Sequence, residues 1–232
     1  MGRDEKMKKQ FAVSMVGLTL LGMSIGTKNV QAENTTATVA NSKSTVTLKA
    51  PTEPSGPNPP IVDPTDPTDP TGQKGILTLD AVSSFDFGTI ALDGKAVSTS
   101  SIVKKNDKDV PYKQGLQVTD KRGTGAGWKV TVGLSDFKGE NNHLLKGATV
   151  EFPVGKLHTN NGNDDHSPTS SAITLQVNGG AQTILTANKD TGMGSWYDEF
   201  EDPTTVKLNV PGGQYADNYT ANLNWTLTDT PA

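Results

Sequence analysis

The stretch TGMGSWYDEFEDP, residues 191–203, sets two adjacent aromatics, Trp196 and Tyr197, directly against Asp198, Glu199, Glu201 and Asp202. Aromatic rings suit the C–H face of a sugar, and carboxylates accept hydrogen bonds from hydroxyls or from amines. The glycines and acids read as a loop whose aromatics have no periodic partner, so Trp196, Tyr197, Asp198 and Glu199 are candidate ligand-binding residues. The competing reading is that the rings fold back as a plug. A glycosidase would need two carboxylates held ~5 to 9 Å apart, a separation that neighbours in one loop do not fix. The three histidines (His143, His158, His166), the absence of cysteine and the lack of a Gly-x-Ser-x-Gly elbow offer no nucleophile and base pair. No catalytic residue is expected. Asn160, Asn161, Asn163, Asp164 and Asp165, flanked by His158 and His166, bring oxygen and imidazole together, but their spacing matches no calcium loop. A solvated turn is expected there, with no metal and no cofactor.

Two further tryptophans lie in segments of strict period two. In Gly127 to Leu134, Trp128, Val130, Val132 and Leu134 alternate with polar or small residues; near the C-terminus, Tyr219, Ala221, Leu223, Trp225 and Leu227 do the same. Such alternation marks half-buried strands. Either indole could meet a sugar, but each shares its side with aliphatic residues that need cover. Trp128, Val130, Trp225 and Leu227 are therefore expected in the core.

The elements around these residues are almost all short strands. Leu77, Leu79 and Ala81 predict one, Phe85 and Phe87 a second, and Leu116 to Val118 a third. Arg122 to Gly127 is a glycine-rich turn; no helix-forming run follows, so a phosphate loop is not expected. Further strands follow at Ala148 to Phe152, Ile173 to Val177, the segment after it, and Val206 to Val210. Asn178-Gly179-Gly180 predicts a tight hairpin turn. Strands at short spacing with no helical period indicate an all-β fold, an antiparallel β-sandwich over residues 75–232.

Residues 1–32 read as a secretory signal: Lys6, Lys8 and Lys9, an apolar run from Phe11 to Ile25, and Val30-Gln31-Ala32 as a cleavage site. Met7 is an alternative start. The run is shorter than the ~20 apolar residues of a membrane span, so no span is expected after cleavage. Removing residues 1–32 takes five basic and two acidic residues from totals of 21 and 25, leaving 16 against 23, net −7. That charge disfavours nucleic acid and anionic polymers as partners. An exported chain without cysteine must be held by its core alone.

Residues 33–74 form a Pro/Thr/Asp-rich linker, with Asp-Pro-Thr repeated from Asp63, Asp66 and Asp69. Regular proline and like charges predict a disordered, extended, solvated spacer, reaching roughly 65 Å from Pro51 to Thr71 at ~3.1 Å per residue.

The blocks ILTLDAVSSFDFG, DKRGTGAGWKVTV, LKGATVEF, GMGSW and YTANLNWTLTDTP resemble the C-terminal WxL domain of Gram-positive surface proteins, over roughly Gly75 to Ala232. The last block is the most specific; in the first Trp motif Val130 stands where the family's name has leucine. The resemblance implies an exported protein held non-covalently on the cell wall through peptidoglycan, beside other cell-surface proteins of the same gene cluster; with no catalytic residues expected, the protein is read as non-enzymatic. The absence of a Leu-Pro-x-Thr-Gly signal near Pro231-Ala232 fits non-covalent attachment. The alternative is an adhesin or complex-forming module that binds a partner surface protein or a host matrix protein. An exposed sheet edge would favour that alternative, and a concave groove with aromatics and acids would favour glycan.

Overall fold

The computed structural model describes residues 40–162, 165–200 and 206–229. The chain divides into two compact units, Met1–Val46 and Thr47–Ala232. The second unit holds every strand found among the described residues, and the expected signal segment lies outside them.

Fourteen strands are found and no helix among the described residues: β1 (Leu77–Val82), β2 (Val97–Ser100), β3 (Gly115–Asp120), β4 (Trp128–Leu134), β5 (Lys138–Gly139), β6 (Thr149–Phe152), β7 (Lys156–Thr159), β8 (Thr169–Ser170), β9 (Ile173–Gln176), β10 (Gln182–Ala187), β11 (Gly194–Glu199), β12 (Lys207–Val210), β13 (Tyr219–Thr220) and β14 (Leu223–Thr228). They form three four-stranded sheets, ordered β1-β3-β11-β7, β14-β4-β10-β8 and β2-β12-β6-β9, and a β13-β5 ribbon. Every pair of neighbouring strands is antiparallel. The all-β sandwich is the fold.

The two tryptophan strands are neighbours. Trp225 sits opposite Val132 and Leu227 opposite Val130, so their side chains share the inner face. Trp128 and Val130 are fully buried, while Trp225 and Leu227, on the terminal strand of the sheet, are half-buried against the same core. Phe152 meets the Trp225 ring edge-on at 6.0 Å between centroids, a favoured aromatic geometry. The Trp128 indole N–H donates to the Gly192 carbonyl at 3.0 Å, which ties the turn before β11 to β4. In β10, a register shift between Thr183 and Leu185 leaves Ile184 as an extra residue. This bulge lets the adjacent Ile184 and Leu185 both enter the core.

Three expectations are corrected. Phe85 and Phe87 form no strand; the chain from Ser83 to Ala96 is irregular, apart from one bridge between Asp86 and Ile102. Asn178-Gly179 makes a turn, with Asn178 at φ 53°, but no hairpin: β9 pairs with β6, while β10 pairs with β4 and β8. The turn carries the chain from one sheet to another.

The third correction concerns the spacer. Residues 40–54 are exposed, yet from Ser55 the Pro/Thr/Asp segment lies against the β1-β3-β11 sheet as a strap. The reason is in the sheet's second face. A register shift between Leu79 and Ala81 turns Asp80 out of the β1 ladder, and its carboxylate accepts from Thr78 and Thr119 hydroxyls, Gln117 Nε2, and the backbone and side-chain nitrogens of Asn58, all within 3.2 Å. Gln117 in turn donates to Pro59 O at 3.0 Å and accepts from the Ile61 amide at 2.9 Å. Proline carries an acceptor and no amide donor, so a proline-rich segment supplies what a face of exposed donors lacks: Pro64 O accepts from the Lys113 amide at 2.7 Å. The strap ends along the edge of β1, where the Thr71 amide donates to Asp80 O and the Val82 amide to Asp69 O. All six residues of β3 are consequently buried, not alternate ones.

Candidate functional site

Trp196, Tyr197, Asp198 and Glu199 stand in β11, between β3 and β7. Trp196 is 2% and Tyr197 1% exposed, so neither ring offers a surface to a ligand. Trp196 lies opposite Val118 in the core and donates its indole N–H to Met193 O at 3.0 Å. Tyr197, on the strap's side, donates its hydroxyl to Lys113 O at 3.2 Å. Glu199 is held between two bases, Lys113 Nζ at 2.6 Å and His158 Nε2 at 2.8 Å. These contacts fix β11 within its surroundings. The reading of this segment as an exposed binding loop is corrected: adjacent large side chains are both buried because core covers one face of β11 and the strap runs over the other.

Asp198 is fully buried. Its Oδ2 accepts from Ser170 Oγ at 2.8 Å, and Ser170 Oγ accepts from the Gly155 amide at 2.9 Å, so one carboxyl joins β11, β8 and the β6–β7 turn. Burial pushes it up to about 7, against a smaller lowering from Ser170. The folded state therefore holds a proton that the unfolded chain releases near pH 4. Stability present below pH 4 is lost as pH rises toward 7 and is flat beyond. Asp69, a buried residue of the strap itself, bonded to Ser83 at 2.8 Å, is raised by burial to about 6 and acts in the same direction. Melting followed by circular dichroism is expected to be higher at pH 5 than at pH 8, and Asp198→Asn should remove most of the difference.

Of the loop expected to be a solvated turn, Asn163 and Asp164 lie outside the described residues, and Asn161 Nδ2 donates to Met193 O at 2.9 Å. Among the described residues no cluster of acids and histidines could hold a metal ion. In the glycine-rich turn, Arg122 makes a two-pronged pair with Asp120 (3.0 and 2.8 Å) and donates to Gly127 O at 2.7 Å, so the turn is closed on its own arginine.

An open groove lies elsewhere. The irregular segment around Phe87 to Leu92 and the segment Gln214 to Ala221 face each other across a groove of about 650 Å³, within the size range of small-ligand sites. Phe137, Leu145, Leu208 and Val210 form its apolar base. At its mouth Tyr215 is 66% exposed, yet fixed: its ring stacks on the His143 imidazole at 4.3 Å and 5°, and its carbonyl accepts from Tyr219 Oη at 3.0 Å. His143 is oriented by Asp217, Nδ1 to Oδ2 3.0 Å. Asp217 also accepts from the Asn141 amide and side chain and from the Asn218 amide. Burial would raise this carboxyl; the Asn218 and Asn141 amides and the His143 and Asn141 side chains outweigh that and hold it below the usual carboxylate range.

The arrangement depends on one glycine. A Cβ on Gly139 would stand 2.1 Å from Asp217 Oδ2, so any side chain there displaces the carboxylate. Gly139→Ala is expected to unseat the His143–Tyr215 stack while lowering the melting temperature by only a few degrees. Loss of the His143 to Tyr215 cross-peaks in an NMR NOE spectrum would register it.

Sequence reasoning missed Tyr215, His143 and Asp217 because 72 positions separate His143 from Tyr215. The one signal was Tyr215 itself, an aromatic before the final strand and outside its alternation.

The chain is an antiparallel all-β sandwich with an exposed, stacked tyrosine beside a concave groove. A family model described as "WxL domain surface cell wall-binding" matches residues 29–231. The chain belongs to the WxL family and is a cell wall-binding surface domain. The match takes in the strap as well as the strands. Comparison with curated proteins and with solved structures gives no match.

Proposed function

We propose that this chain is a non-enzymatic module that, once exported, holds itself non-covalently on peptidoglycan, and that the groove beside Tyr215 is where it grips. The observation that carries this reading is a two-thirds exposed tyrosine ring kept immobile by a stacked imidazole and a buried carboxylate. A ring ordered before the ligand arrives loses little entropy on binding, and its outer face suits the C–H face of a saccharide. Among the described residues the groove is lined by no lysine or arginine, which disfavours teichoic acid and other anionic polymers as the main ligand.

The test is co-sedimentation of the full-length chain with purified sacculi, before and after teichoic acid is stripped, at two salt concentrations. Binding is expected to survive both stripping and salt. Tyr215→Ala should weaken it about tenfold, equivalent to about 1.4 kcal/mol, with the melting temperature nearly unchanged. Gly139→Ala should weaken it in the same direction. Binding to stripped sacculi that is indifferent to both variants would remove the groove from the reading.

A second reading, a protein partner, is supported by β14. It is the terminal strand of its sheet, and its inward residues Leu223, Trp225 and Leu227 are only half-buried, a place where another chain's strand could add. Loss of binding on protease treatment of the sacculi would favour it. No helix among the described residues is long and apolar enough to cross a membrane.

A further inference from the structure

Resting on that reading, we infer that the groove selects a neutral N-acylated amino sugar, its ring on Tyr215 and its acyl group over the apolar base. Charge narrows the choice first. Among the described residues the lining contains Asp86 and Asp217 and no lysine or arginine, so an anionic sugar would lose water without gaining a partner. A cationic sugar fares no better. The Asp217 carboxylate is 1% exposed and already accepts from His143, Asn141 and Asn218, while Asp86 is exposed to water, where an ion pair contributes little. The occupant is uncharged.

Polarity narrows it further. The base is made of Phe137, Leu145, Leu208 and Val210, flanked by the half-buried Phe87 and Ile90. A plain polyol entering this space would set hydroxyls against carbon with nothing to accept or donate. A wholly apolar ligand would strip water from Thr89, Gln214, Asn218 and Thr220 at the rim without replacing it. An acylated amino sugar meets both demands. Its C–H face covers Tyr215, its methyl group fills the base, and its amide and remaining hydroxyls answer the amides and hydroxyls of the rim.

The probes are three trisaccharides with the same β-1,4 backbone: tri-N-acetylchitotriose, its free-amine counterpart chitotriose, and cellotriose, each titrated calorimetrically into the full-length chain. The acetylated sugar is expected to bind at least tenfold more tightly than either of the others, and Tyr215→Ala to remove that binding. Equal affinity for cellotriose, or no binding of any of the three while sacculus binding still depends on Tyr215, would overturn the acyl selection and leave the groove as the wall contact. Sacculus binding that ignores Tyr215→Ala and Gly139→Ala would overturn both together.

Discussion

A chain that begins at Gly75 is expected to melt at least 6 °C below one that retains residues 40–74, and to aggregate on heating. The strap covers the polar face of the β1-β3-β11 sheet around Asp80 and Gln117 and the outer edge of β1. Without it the Asp80 carboxylate loses both nitrogens of Asn58, and Gln117 loses Pro59 and Ile61. The amides of Lys113 and Val82 lose Pro64 O and Asp69 O, and the Asp80 carbonyl loses the Thr71 amide. Water replaces these partners incompletely in so crowded a face, and hydrogen bonds to charged groups are worth about 1.5–3 kcal/mol each. A net loss of about 3 kcal/mol corresponds to roughly 6–12 °C in a domain of this size. The bared β1 edge adds a template for pairing with other chains. Differential scanning calorimetry and light scattering of the two chains measure both effects; melting within 2 °C of each other would show the strap to be a passenger. Wall-binding assays on a chain trimmed to the strands would consequently confuse unfolding with loss of a ligand.

Trp196→Ala should produce the opposite profile to Tyr215→Ala. Trp196 packs beside Val118 in the core and also fixes the Met193 turn through its indole N–H. Deleting a buried indole leaves a cavity that rigid sheets cannot close, at about 3–5 kcal/mol, or roughly 6–20 °C in melting temperature. The fraction that remains folded should bind sacculi as the parent does. Chemical denaturation with urea, beside co-sedimentation at 10 °C, separates the two quantities; near-normal stability with lost binding would return Trp196 to the ligand site.

The comparison of these two aromatics explains what the amino-acid sequence makes legible. Strands covered on one face only, such as β4, β6 and β9, write their burial as alternation, and Trp128, Val150 and Leu175 could be placed in the core directly. The terminal β14 keeps the same alternation, although its inward residues are half-buried. β11 is covered on both faces, so its aromatics and acids follow no period and resemble a loop. The strap was hidden for a different reason. Its composition is that of a solvated segment, and only the register shift that turns Asp80 outward creates the donors and acceptors that hold it down. The groove could not be read at all, since its walls come from segments some 125 positions apart, Phe87 to Leu92 and Gln214 to Ala221. Its key contacts are stacking and hydrogen bonding, not periodic burial.

One backbone bond of the strap changes how far this protein can extend. The Gly75 amide donates to Ser55 O at 2.9 Å, pinning together the two ends of a segment that, stretched out, would span roughly 60 Å at ~3.1 Å per residue. The prolines between them therefore add almost nothing to the distance at which the strands can be held from whatever lies upstream. A tether of given sequence length is shortened by a loop folded back on itself, and unfastening the Ser55–Gly75 clasp would be the way to lengthen it.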